Sequence, residues 1–216
     1  MESKFSYDAA FWTDGFKVIG GNPALDFVNT LSERRGDEPV ERVRSYTDLV
    51  EASKRIGVLT EDQAQAMLDA ARDAPEAAET VRAEAVALRE LLYRVFSAVA
   101  NGRAPSAEEL ASLNSALSNV LVHLGVGCDD TETAFTWVWE ESAVALDRML
   151  WPMVRAAADL LVSDRLDRVG ECAGDDCGWL FLDLSRNRSR RWCDMSDCGN
   201  RAKMRRFMQR HRSSRH

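Results

Sequence analysis

Four cysteines, Cys172, Cys177, Cys193 and Cys198, fall within 27 residues in the spacing C-x4-C-x15-C-x4-C. Two short pairs joined by a longer loop is how a chain wraps a tetrahedral ion: each pair clamps two corners, and the loop brings the pairs together. Thiolate is a soft donor and zinc imposes no geometry of its own, so the expected occupant is one Zn2+. Four thiolates leave no coordination position open, which makes the role structural and not catalytic. Free buried cysteines or two disulfides are the alternatives, and both require the paired spacing to be accidental. Gly178, directly after Cys177, suits a tight turn. Trp179-Leu180-Phe181-Leu182 reads as a strand that packs over the site. Gly199 marks a helix start, where N–H groups and the positive helix end favour thiolate charge. Cys128 stands apart and reads as an ordinary free thiol: a nucleophile would need a base, and His123 is a weak match for one. His211 and His216 lie in a basic tail and read as solvated.

The cysteines open the only strongly basic stretch. From Leu184 to His216 there are eleven Lys or Arg against two Asp or Glu, a net charge of +9, whereas residues 1–183 carry seventeen basic and thirty-three acidic residues, a net of −16. Arg186, Arg188, Arg190 and Arg191 fill the loop between the cysteine pairs, and Arg201, Arg205 and Arg206 follow the last cysteine. The planar guanidinium fork binds phosphate oxygens in pairs, so these seven are the candidate nucleic-acid contacts. The competing reading is a segment held on the acidic body by its own charges. In a helix over about 198–211, Met204, Phe207, Met208 and His211 share a stripe, expected to pack on the body while the basic faces look outward.

The elements that must position this module are read as helical. Asn22 caps a helix with Pro23 at its first position. The charged stretch Ser32 to Arg44 reads as a loop. Helices follow over about 46–56, ending near Gly57, and 61–73, with Thr60 and Gln63 as a capping box. Pro75 opens one over about 76–100, on which Val81, Ala85, Leu88, Leu92, Val95 and Val99 recur every three or four residues; Ser106 and Glu109 cap the next. Val122 to Gly127 and Thr133 to Trp139, rich in β-branched and aromatic residues, read as a β-hairpin with Trp137 and Trp139 on one face and Val138 on the other. A last body helix is expected over about 141–164, kinked or split at Pro152. The fold class is therefore mainly α with a small β-hairpin: a helical body, 1–166, and a small four-cysteine zinc-finger module with a basic helix, 167–216. A module this small has little core. Its folding free energy comes largely from the metal, so metal loss is expected to unfold the region after about residue 170 and spare the body.

Cys198-Gly199-Asn200-Arg201 spells CGNR. With the cysteine spacing, Trp192 before the third cysteine and the basic helix after the fourth, this closely resembles the CGNR zinc-finger family. The stretch Gly21-Asn22-Pro23-Ala24-Leu25-Asp26-Phe27-Val28-Asn29-Thr30-Leu31 looks like the opening motif of the ABATE domain that precedes such fingers in bacterial proteins. What the resemblance implies is a stress-linked transcription regulator. Read from the residues themselves, Asn200 bonds backbone near the helix start, and Arg201 reaches either a phosphate or a carboxylate.

The leading expectation is a DNA-binding regulator whose helical body senses a small-molecule effector or forms a homodimer. The alternatives are a protein-interaction module with a purely structural finger, and an RNA-binding protein. An enzyme is not expected: the body offers one histidine, no glycine-rich phosphate loop and no tight Asp/Glu/His cluster. No apolar run of about 18 residues exists to span a membrane. The first eight residues lack the apolar stretch of a secretory signal, so a cytoplasmic location is expected.

Overall fold

A computed structural model describes residues 16–128, 134–140 and 145–213. The body begins with α1, Pro23–Val28, where the Asn22 side chain accepts the Ala24 N–H at 2.9 Å. All six residues of α1 are buried. It sits centrally because every neighbour needs its apolar surface: α2 (Tyr46–Ile56), α4 (Pro75–Ala100) and α6 (Leu150–Leu161) all pack on it. Capping boxes open α2 (Ser45 with Asp48), α3 (Glu61–Asp73; Thr60 with Gln63) and α5 (Ala107–Leu121; Ser106 with Glu109). Gly57 ends α2 at φ +85°, where a β-carbon would be strained.

Within the expected loop a two-residue pair forms, β1 (Leu31–Ser32) antiparallel to β2 (Val40–Glu41). It brings Glu41 onto α4, where Arg89 is the largest fully buried side chain. Arg89 donates to both carboxylate oxygens of Glu41 at 2.6 Å, to Glu90 at 3.0 Å and to Thr30 at 3.3 Å. Burial works to raise the Glu41 carboxyl, but the Arg89 bond and charge outweigh it and hold the group below the usual range.

The hairpin forms as expected, β3 (Leu124–Cys128) against β4 (Phe135–Trp139). Trp137 and Trp139 share the face toward α6, the first under the Arg155 guanidinium at 4.8 Å and the second 6.0 Å from Trp151. Trp137 nonetheless stays 53% exposed, so it buries little of the hairpin against α6. Val138 fills the room left by Gly127, where a β-carbon would meet its Cγ1 at 2.9 Å. His123 stacks on Trp151 at 3.9 Å and meets Glu140 at 3.2 Å. The expected 141–164 helix is shorter. Residues 141–144 lie outside the described residues, 146–149 form turns, and α6 starts at Leu150. Pro152 therefore sits in the first turn, where a missing N–H costs nothing, and it neither kinks nor splits a longer helix.

The third pair, β5 (Val169–Glu171) and β6 (Leu180–Leu182), carries the chain into the cysteine cluster. Strand alternation gives β6 two roles. Leu180 and Leu182 lie in the body core, while Trp179 and Phe181 pack with the cysteines. Asn29 locks this strand on both sides, accepting the Leu180 N–H at 2.9 Å and donating to its carbonyl at 2.8 Å. The Trp179 indole reaches the Leu31 carbonyl at 3.1 Å, and the Leu182 N–H reaches Gly20 at 2.7 Å. Metal site and body therefore share one strand, which argues against metal loss sparing the body. No helix among the described residues is long and apolar enough to cross a membrane.

Candidate metal centre and nucleic-acid interface

The four cysteines meet at one point. Cys172 follows β5, Cys177 precedes β6, Cys193 precedes a π-helical turn, Met195–Gly199, and Cys198 lies within that turn, which leads into α7 (Asn200–Ser213). All four are buried, and their sulfurs lie within 4.8 Å of one another. The Cys177–Cys193 and Cys193–Cys198 Sγ separations are both 3.6 Å. Sulfurs at the corners of a tetrahedron with metal–sulfur bonds near 2.3 Å stand about 3.8 Å apart, whereas a disulfide needs about 2.05 Å. Four soft donors at tetrahedral separation, with no disulfide between them, fit one structural zinc.

The protonation pattern agrees. Hydrogen bonds from Cys177, Cys193 and Cys198 hold Cys172 as a thiolate, far below the ordinary thiol range. The bonds to Cys172 push Cys177 and Cys193 above that range. Cys198 is drawn down to about 6, the bond to Cys172 that raises it being outweighed by those from Cys177 and Cys193. The crowded sulfurs thus divide between thiolate and thiol, and a divalent cation takes the place of the remaining protons.

The surrounding donors stabilise sulfur charge, though not from the expected helix start. The backbone N–H of Gly174 (3.4 Å) and Cys193 (3.2 Å) point at the Cys172 sulfur. Arg201 donates to the Cys198 sulfur at 3.3 Å. Each letter of CGNR thereby has a local cause. Cys198 is a ligand. A β-carbon on Gly199 would meet the Met195 sulfur at 2.7 Å and Trp192 at 3.3 Å. Asn200 reaches back to the Ser196 carbonyl at 3.0 Å and holds the π turn. Arg201 answers the thiolate while pairing with Asp197 at 3.2 Å. Gly178 has φ +73°, as its position after Cys177 suggested.

A loop from the body closes over the site. Arg34 and Arg35 donate backbone N–H groups to Cys177 and Asp176, both at 3.0 Å. The Arg35 guanidinium binds the carbonyls of Cys172 and Gly174. Sequence reasoning missed these two arginines, because Ser32–Arg44 reads as an unattached charged loop.

The seven candidate arginines divide. Arg186 and Arg191 are exposed and make no ion pair among the described residues; Arg191 lies 5.8 Å from the Trp192 ring. Arg206 is exposed and likewise unpaired among the described residues, as is Lys203. Arg188, at φ +48°, pairs with Asp167, and Arg205 pairs with Asp175 at 2.5 Å. Arg190 departs from the expectation. Its guanidinium binds the carbonyls of Cys193 (2.7 Å), Ile19 (3.0 Å), Trp192 (3.2 Å) and Leu182 (3.3 Å), and lies 4.3 Å over Phe181. Desolvation pulls its pKa below the usual range. It is a clamp between the finger and the body, unavailable to a phosphate. The reason is local: Asp183, buried, accepts the N–H groups of Ser185 and Arg190, both at 2.8 Å, and folds the loop so that Arg190 points inward.

The apolar stripe of α7 also departs from the expectation. Met204, Phe207 and Met208 are 60%, 59% and 62% exposed, and Phe207 meets His211 edge-on at 4.3 Å. Ala202 is the one buried residue between Asn200 and His211, so the helix rests on the finger by its first turn and extends outward. His216 lies outside the described residues. Cys128 is exposed at the end of β3.

Two family models match the chain. One, ABATE, described as "Putative stress-induced transcription regulator", matches residues 21–164. The other, the CGNR zinc finger, matches residues 168–211. No curated protein matches.

Proposed function

This chain belongs to the ABATE family and carries a CGNR zinc finger, and from that premise we propose that it regulates transcription by binding nucleic acid, duplex DNA first, through the basic surface its finger presents. The observation that carries this reading is the set of exposed cations without carboxylate partners among the described residues, Arg186, Arg191, Lys203 and Arg206, on a segment of net charge +9. The acidic remainder of the chain, residues 1–183 with a net charge of −16, repels a polyanion. That repulsion fades over a Debye length of about 8 Å at physiological salt, so contact-range arginines prevail. The finger's part is structural: its metal and the Arg190 clamp fix where these cations stand. The protein acts by binding and not by catalysis. Its body is proposed to sense an effector or to form a homodimer, and the open cleft beside the hairpin, lined by His123, Trp139 and Glu140, offers room for a small molecule.

The test is a salt titration with labelled duplex DNA and duplex RNA of equal length. For DNA, log K should fall linearly with log salt by about 0.9 per neutralised phosphate. Changing Arg186, Arg191, Lys203 and Arg206 together to Ala should flatten that slope and leave zinc content unchanged. Tighter binding to RNA would move the assignment to the RNA alternative. Absence of binding to either at low salt would leave the interaction module, in which Arg190 on the Ile19 carbonyl and Lys17 on Asp194 staple the finger to the body.

A further inference from the structure

Helix α7 leaves unexplained surface. It carries six basic and no acidic residues over 200–213, and every residue from Lys203 to His211 is exposed. At three and four residues apart, Met204, Phe207 and Met208 share one face, and Ala202 sits on the opposite one. Arg201 and Arg205 run along one side of the apolar face and Lys203 and Arg210 along the other, while Arg206 lies further back, beside Ala202. A helix of 14 residues standing in water with three large apolar side chains exposed is marginal by itself. Its apolar face fits a partner that is apolar in the middle and anionic on both rims.

We propose that this partner is the major groove of duplex DNA, with Met204, Phe207 and Met208 against thymine methyl groups and the flanking cations on the phosphates of the two strands. The inference rests on the DNA-binding reading above and adds which face enters and what it reads. The groove is about 12 Å wide and admits one α-helix, and the thymine C5-methyl is its one apolar feature. The helix is roughly 21 Å long at 1.5 Å per residue, enough to lie along several base pairs. One rim is met by Lys203. The other is met by Arg205, whose surface pair with Asp175 is 43% and 70% exposed and exchanges readily for a phosphate. The A-form major groove of RNA is too deep and narrow for side chains to read, and uracil lacks the methyl. A second copy of this chain fits less well, because two such helices face to face would bring twelve cations together.

The experiment compares full-length zinc-loaded protein on an alternating dA-dT duplex and an alternating dA-dU duplex, identical but for the methyl group. Each methyl lost from the contact should weaken binding about fourfold, the equivalent of about 0.8 kcal/mol per buried carbon. Phe207→Ala should weaken binding to the dA-dT duplex about tenfold or more, with a smaller loss on dA-dU and an unchanged salt slope. Lys203→Ala should do the reverse, lowering the slope by about 0.9 on both duplexes. Zinc content and thermal unfolding verify that each variant is folded. Equal binding to both duplexes together with a neutral Phe207→Ala would overturn the groove assignment and leave the phosphate reading intact. No binding to either duplex at low salt would remove both. Self-association by sedimentation that Phe207→Ala abolishes would reassign the stripe to a protein contact and overturn the proposal.

Discussion

Between Cys177 and Cys193 the chain carries four arginines; after Cys198 it carries six more and Lys203. The two stretches use the same side chain in different ways. In the loop, Asp183 gathers the backbone, and Arg190 turns inward to bind four carbonyls at once. On α7 the first turn meets a buried acceptor, Arg201 on the Cys198 sulfur, and further along Lys203 and Arg206 are exposed. What decides the role of an arginine here is whether unpaired carbonyls lie within reach of its fork. A guanidinium that satisfies several buried carbonyls is structural, whatever the net charge around it.

The largest test of this contrast is removal of the metal. Structural zinc contributes on the order of 10 kcal/mol in small fingers. Because Leu180 and Leu182 belong to the body core while Trp179 and Phe181 cover the cysteines, Cys193→Ser should not unfold the finger alone. Far-ultraviolet dichroism and tryptophan fluorescence should report one coincident transition at a much lower temperature. Two separated transitions would show the finger to be an appendage after all.

Next in size is a pH effect at the junction. Asp26 is fully buried, and burial pushes its carboxyl up to about 7. Its Oδ1 accepts the Gly20 N–H at 2.6 Å, while Oδ2 has no hydrogen-bond partner among the described residues. A carboxyl whose folded pKa exceeds its unfolded value binds its proton more tightly when folded. Its contribution is therefore present below about pH 4 and lost as pH rises toward 7, on the order of a few kcal/mol. Asp26→Asn should flatten stability between those values and be relatively more stable at pH 8. Denaturant melts at pH 5 and pH 8 measure it, and an unchanged pH profile would contradict the assignment.

A third effect tests the inward use of arginine within the body. Arg89→Ala should cost about 3 kcal/mol, at the low end for a broken buried pair because Glu41 is 35% exposed. It should also reduce acid sensitivity. The depressed Glu41 carboxyl contributes stability above its unfolded pKa and loses it as pH falls through the lower folded value. Chemical denaturation at pH 7 and pH 3 would show a smaller gap for the variant than for the wild type.

Which features were legible in the sequence follows the same physics. The helix starts at Asn22, Thr60 and Ser106 could be read because a cap and its partner lie within three residues. The cysteine site could be read because metal geometry constrains spacing. Arg89 and Arg190 could not, since their acceptors at Glu41 and Ile19 lie 48 and 171 residues away. The start of α6 was misplaced because Pro152 is as much at home in a first turn as at a kink. The stripe on α7 had the right period but said nothing about whether a body surface would be there to receive it. Residues 129–132, between the two expected strands, and Thr133, at the start of the second, lie outside the described residues.

The basic segment is divided between clamp and contact, and two single variants measured side by side test that division. Arg206→Ala should lower the slope of log K against log salt on duplex DNA by about 0.9 and leave the melting temperature unchanged. Arg190→Ala should leave the slope of the folded protein unchanged and lower stability by about 2–3 kcal/mol, because a half-buried charged donor to four carbonyls is lost. The opposite pattern, with Arg190→Ala flattening the salt dependence of a fully stable protein and Arg206→Ala destabilising it, would contradict the account.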